Sequence, residues 1–156
     1  MKYTKFTLAQ KDPRLVELLD KIDKITLALW AIDCAERVMP YFEKAYPYDN
    51  RPRDAIKILQ VWIKTQYFSM STIRKASLDA HTAAKEIGNS SPAASVAHAA
   101  GQAVATAHVY THAIGPAMYA LQAIYRANDG PSEQAELEMT KEREWQYNRL
   151  VELMNN

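Results

Sequence analysis

Apolar positions along this chain return every three or four residues and almost nowhere alternate, which is the signature of amphipathic helices rather than half-buried strands. Asp12-Pro13 supplies a cap followed by a first-turn proline, after which Leu15, Leu18, Leu19, Ile22 and Ile25 recur at helical spacing. A second segment runs from about Thr26 to Phe42 and joins the first through a bend or a turn. Pro40 should kink or end it, because a proline has no N–H for the helix ladder. Tyr46-Pro47-Tyr48-Asp49-Asn50 reads as a turn, and Arg51-Pro52-Arg53 opens a third segment reaching about Phe68. Ser69 or Ser71 caps a fourth, which ends near Ile87 where Gly88-Asn89-Ser90-Ser91-Pro92 interrupts it. A fifth segment is divided or kinked by Gly115-Pro116 near Ile114 and continues to about Ala127. Asn128-Asp129-Gly130-Pro131 is a turn, and a polar helix follows from Ser132 to Met154. The expectation is one all-α, bundle-like domain over residues 1–156, with five or six main helices around an Ala-rich central one.

The central segment is the most unusual stretch. From Asn89 to Tyr125, 37 residues pass without an Asp, Glu, Lys or Arg, and twelve of them are alanine. Small side chains let neighbouring backbones approach closely, so this is a helix meant to be packed on several sides. Ser95, His98, Gln102, Thr106, His108, Thr111 and His112 interrupt any apolar run of the roughly 20 residues a membrane span requires. His98, Gly101, Ala105, His108 and His112 share a sector of about 80 degrees, with Gln102 beside it, so three histidines line one ridge. Hydrogen bonding inside the bundle is the expected role of His81, His98, Gln102, His108 and His112.

Composition narrows the function classes. Nineteen Lys and Arg against eighteen Asp and Glu leave a net charge of +1, with no global basic field for nucleic acid. Arg51 and Arg53 could hold a phosphate, but Asp49 and Asp54 offset them directly. The single cysteine, Cys34, excludes an internal disulfide and reads as a buried thiol. Met1-Lys2-Tyr3-Thr4-Lys5 is not followed by an apolar secretory segment, which predicts a cytoplasmic protein. A monomer is expected, with a homodimer sharing the apolar central surface as the alternative. No cofactor is implied, since there is no Gly-rich phosphate loop, no Gly-x-Ser-x-Gly elbow and no CxxC pair.

Three polar features carry candidate chemistry. His108 and His112, four positions apart, are the candidates for a metal-dependent enzyme, with His81 as a further ligand and Asp33 as ligand or base. Asp33 and Arg37 have the spacing of a local ion pair, and their strip of the second segment is placed to meet Arg51 or Arg53. The last helix carries Glu133, Glu136, Glu138, Glu142, Glu144 and Glu152 against Lys141, Arg143 and Arg149, the composition of a polar outer wall. For protein binding, Tyr48, Arg51, Arg53 and Trp145 are the candidates, because aromatic and arginine anchors dominate interfaces. The Tyr48–Arg53 corner is expected to contribute more to a partner than the Glu-rich tail.

Three separated segments bear a family resemblance: Trp30-Ala31-Ile32-Asp33-Cys34-Ala35-Glu36-Arg37 with Pro40-Tyr41-Phe42-Glu43; Tyr46-Pro47-Tyr48-Asp49-Asn50-Arg51-Pro52-Arg53; and Ala99-Ala100-Gly101-Gln102-Ala103-Val104-Ala105-Thr106-Ala107-His108-Val109 with His112-Ala113. Together with Asp79-Ala80-His81 they cover about Thr26 to Ala127, and the chain resembles the immunity-protein family found beside bacterial polymorphic toxins. Asp33, Arg51, Arg53, His98, Gln102, His108 and His112 carry the polar part of that pattern. The resemblance implies a compact α-helical protein that binds and neutralises a cognate protein toxin without performing a reaction itself. A helical structural or interaction module serving another partner is the alternative.

Overall fold

The computed structural model describes residues 2–156. It contains eight α-helices and, among the described residues, no β-strand: α1 Pro13–Leu19, α2 Lys24–Glu36, α3 Met39–Glu43, α4 Arg51–Thr65, α5 Met70–Ile87, α6 Pro92–Ala105, α7 Ile114–Ala127 and α8 Glu133–Met154. A short 3-10 turn, Tyr110–Ala113, leads into α7. Side-chain caps explain most of the starts. Asp12, Asp23, Ser69, Ser91 and Ser132 each accept a bond from a first-turn backbone N–H.

Eight helices replace the expected five or six because two segments divide. The join between the first and second is a real turn, with α2 newly capped by Asp23. Further on, α2 stops at Glu36 and Pro40 sits in the first turn of the five-residue α3, where its missing N–H costs nothing. The central segment also breaks earlier than Gly115-Pro116. Helix α6 ends at Ala105, Val109 is extended at φ −133° and ψ 111°, and Gly115-Pro116 falls inside the first turn of α7. Consequently His108 and His112 do not share a helical ridge with His98.

Helix α6 lies at the centre and packs against α2, α3, α4, α5 and α7. Ala93, Ala94, Ala97, Ala99, Ala100 and Ala103 are buried along it, so close backbone approach on several sides is realised. One group of core side chains, including Leu27, Trp30, Ile56, Leu59 and Trp62, joins α2 and α4 to one part of α6. Another, including Val38, Phe42, Val96, Leu121, Ile124 and Met139, joins α3, α7 and α8 to the rest. Cys34 is fully buried in the first group, where burial pushes its thiol well above the ordinary range and keeps it protonated.

Helix α8 is more than an outer wall. Ala135, Met139, Glu142, Gln146 and Leu150 form a buried stripe at three- and four-residue spacing. The backbone carbonyl of Gln146 accepts from the Trp30 indole N–H at 2.9 Å, and its side-chain amide donates to the Ala117 carbonyl at 2.9 Å. Glu142, only 4% exposed, accepts two bonds from the Arg37 guanidinium, which itself lies 4.1 Å from the centre of the Trp145 ring. These contacts lock the last helix to α7 and, across more than a hundred residues of sequence, to the α2 region.

Candidate functional site

Helices α5 and α6 run against each other and bring the polar residues of the central segment into one layer. Ser77 donates to the Gly101 carbonyl at 2.9 Å. One turn further along α5, His81 Nδ1 meets His98 Nδ1 at 2.7 Å, so a single proton sits between the two rings and one nitrogen donates to the other. The His98 ring also stacks on Tyr119 of α7 with centroids 5.0 Å apart. Gly101 makes this approach possible: a Cβ there would stand 2.7 Å from His81 Nε2 and 2.9 Å from Cδ2.

Across the break in the central segment, His112 Nδ1 donates to Gln102 Oε1 at 2.8 Å. Gln102 in turn lies on Gly115, where a Cβ would be 2.7 Å from the Gln102 side chain. The two glycines of the segment are therefore contact glycines, each facing one polar side chain of the layer. Burial holds the His81, His98 and His112 imidazoles below their ordinary pKa. His81 falls to about 4, with repulsion from His98, Lys85 and His112 adding to desolvation. At neutral pH these three rings are uncharged.

The layer opens on one side into a cleft of about 210 Å³ bordered by Met70, Ile73, Arg74, Ser77, Leu78, His81, Gln102, Ala105, His108 and His112. A second, apolar hollow of about 160 Å³ adjoins it, shares Ile73, and is formed by Ile58, Val61, Trp62, Tyr67, Ser69 and Thr72. His108 stands exposed at the rim with its ring 6.3 Å from Phe68. His108 and His112 thus border one cleft, but no set of three His, Cys, Asp or Glu side chains suited to a metal ion occurs among the described residues. The cleft offers hydrogen bonding, apolar contact and the Arg74 guanidinium.

The other sequence candidates occupy different places. Asp33 and Arg37 do not pair with each other: Asp33 accepts from Arg149 at 2.8 Å, and Arg37 is taken by Glu142. Arg51 bonds both Asp49 and Glu86, each at 2.8 Å, and Arg53 bonds Glu43 at 2.7 Å and also Glu36. The second strip of α2 does therefore meet the α4 start, through Glu36. Hydrogen bonds from the two guanidiniums hold Asp49, Glu43 and Glu86 below the usual carboxylate range. Tyr48 is 95% exposed on that corner, and Trp145 lies half-buried under Arg37. What sequence reading missed is the edge formed by Val61, Tyr67, Phe68 and Leu78, which is exposed, with Tyr67 at 77%. A run of Gln66-Tyr67-Phe68 immediately before a serine cap was the available signal, since two aromatics in a helix connection have little core to enter.

A family described as Imm-5 like putative immunity protein matches residues 17–153, from the end of α1 through nearly all of α8. The chain belongs to this immunity-protein family. No curated protein and no solved structure matches it. The immunity-family match extends well beyond Thr26–Ala127 and takes in the α8 stripe that carries Glu142 and Gln146. No helix among the described residues is long and apolar enough to cross a membrane.

Proposed function

We propose that this immunity-family protein binds a cognate bacterial toxin and neutralises it by occupying a surface the toxin needs, without catalysing a reaction. The observation that carries the reading is the family match across residues 17–153. The internal pairing of the polar residues agrees with it. His81 pairs with His98 and His112 with Gln102 through one ring nitrogen each, and Arg37, Arg51, Arg53 and Arg149 bond carboxylates of neighbouring segments. Such a molecule presents a rigid, preorganised surface, and rigidity lowers the cost of association.

Two edges are suited to contact. At the Tyr48–Arg53 corner, Tyr48 projects an aromatic ring while Arg51 and Arg53 hold the turn in place through their carboxylates. The Val61–Tyr67–Phe68–Leu78 edge offers a broader apolar area beside the cleft. Trp145, covered by Arg37, is a poorer anchor than either. Co-expression tests the reading. Cells producing the toxin encoded beside this gene should survive when the protein is present, and the two proteins should co-purify. Cell death with no complex would reject it.

A further inference from the structure

We propose that the cleft between α5 and the α6–α7 connection is the docking site for the partner protein, receiving one carboxylate side chain at Arg74 and a neighbouring apolar side chain in the hollow beyond Ile73. The proposal names the surface and partner chemistry for the toxin-binding reading and rests on it for the partner's identity.

Charge is the first argument. Five of the arginines, Arg14, Arg37, Arg51, Arg53 and Arg149, are held in ion pairs, and Arg126 donates to Ser91 and Ser95. Arg74 and Arg143 make no ion pair or side-chain hydrogen bond among the described residues, and of the two it is Arg74, exposed on α5, that borders the cleft. No Asp or Glu borders the cleft, while Arg74, His81, His108 and His112 do. A guanidinium fork without a carboxylate, with the His108 imidazole at the rim, is complementary to an incoming acidic side chain. His81 borders the cleft as well, its Nδ1 engaged with His98.

The division into two small hollows and their exposed apolar surroundings favour a protein segment over a free small acid. Small-molecule sites commonly measure about 300–1,000 Å³. The cleft, about 210 Å³, and its neighbour, about 160 Å³, are each sized for one side chain. They lie side by side across Ile73, so two neighbouring residues of one segment would fill both. Around them Val61, Tyr67 and Leu78 are more than half exposed, at 59%, 77% and 58%, and supply a rim of the kind that excludes water from interface hot spots. Tyr67 also lines the apolar hollow, tying rim to pocket.

The experiment has two arms, each on the full chain. In the first, the neighbouring toxin is titrated by calorimetry with the wild type and with Arg74→Lys, Arg74→Gln and Arg74→Glu, all checked for native circular dichroism. Affinity should fall severalfold in Arg74→Lys, which keeps the charge but loses the fork, about tenfold in Arg74→Gln and about a hundredfold in Arg74→Glu. Wild-type affinity in all three folded variants would overturn the docking site while leaving toxin binding intact. In the second arm, 3-phenylpropionate and its uncharged amide are titrated into the isolated protein and followed by NMR. Saturable shifts at Ile73, Arg74 and His81 with the acid, absent with the amide and in Arg74→Glu, support the chemistry of the cleft even if the wild type ignores that toxin. Equal shifts from acid and amide, or none, overturn it. Binding of the free acid with unchanged toxin affinity across the Arg74 series would make the cleft a small-molecule site and sink the docking proposal.

Discussion

Replacing Gly101 with alanine sets two effects of known sign against each other. In an ordinary helix interior, alanine is better than glycine by about 0.8–1.0 kcal/mol, and Gly101 lies within α6. Here the added Cβ would meet His81 Nε2 at 2.7 Å, Cδ2 at 2.9 Å and Cε1 at 3.0 Å, closer than carbon contacts tolerate. The imidazole cannot simply swing aside, because its other nitrogen is bonded to His98 at 2.7 Å and that ring is stacked on Tyr119. Overpacking a fitted site costs about 1–3 kcal/mol, so Gly101→Ala should destabilise the protein by about 1 kcal/mol net. Urea unfolding followed by tryptophan fluorescence measures it. The decisive comparison adds His81→Ala: with the ring gone, the same glycine substitution should become stabilising by close to its propensity value. The difference between the two backgrounds is the coupling energy, expected at about 2 kcal/mol. A stabilised Gly101→Ala in the wild-type background, with unchanged His81 and His98 resonances, would refute the claim that this glycine exists to admit the histidine.

Other outcomes follow from the same contacts. Because His81, His98 and His112 have folded-state pKa values below the unfolded value, the unfolded chain binds more protons, so stability is full above about pH 6.5 and declines as pH falls toward 4. After allowing for solvent screening of these half-buried rings, His81 should account for about 1–2 kcal/mol of that loss, read as a steeper acid fall of the urea midpoint in the wild type than in His81→Phe. Arg37→Ala leaves Glu142 buried without its partner and should cost about 1–3 kcal/mol, whereas Arg37→Ala combined with Glu142→Gln should recover part of it; equal losses would contradict an ion-pair origin. Arg51→Ala, by contrast, removes solvent-screened pairs and should change stability by less than about 1 kcal/mol, while larger losses in thermal melts would show that the corner is structural.

Local signals in the chain specified the helix starts well. Asp12-Pro13 and Ser69 were legible as caps because a cap acts on amides two or three residues away and needs no distant partner, whereas the caps at Asp23, Ser91 and Ser132 were not read as such. The end of α6 was not legible. Ala105-Thr106-Ala107-His108-Val109 contains neither glycine nor proline, and what accompanies the break is tertiary: Thr106 and Ala107 are buried, and His112 reaches back to Gln102. The same limit applies to α8. A glutamate-rich helix reads as solvated, and only the arrival of Arg37 from 105 residues away reveals Glu142 as a buried member of an ion pair. At the candidate site, the helical spacing that put His98, His108 and His112 on one ridge fails at the break after Ala105; His112 meets Gln102 across that break, and His81 joins His98 through the packing of two helices, which no periodicity within one of them encodes. The exposed state of Tyr67 likewise depends on where α4 ends, at the left-handed Gln66 with φ 58°.

The most direct test of the proposed function is calorimetric titration of this protein with the purified toxin domain of any toxin gene found next to its own, using the toxin's activity in the same samples as a second readout. A saturable complex with a fixed stoichiometry, and toxin activity that falls in proportion to the fraction bound, is the predicted result. Absence of heat and undiminished toxin activity at a large excess of the folded protein would contradict it.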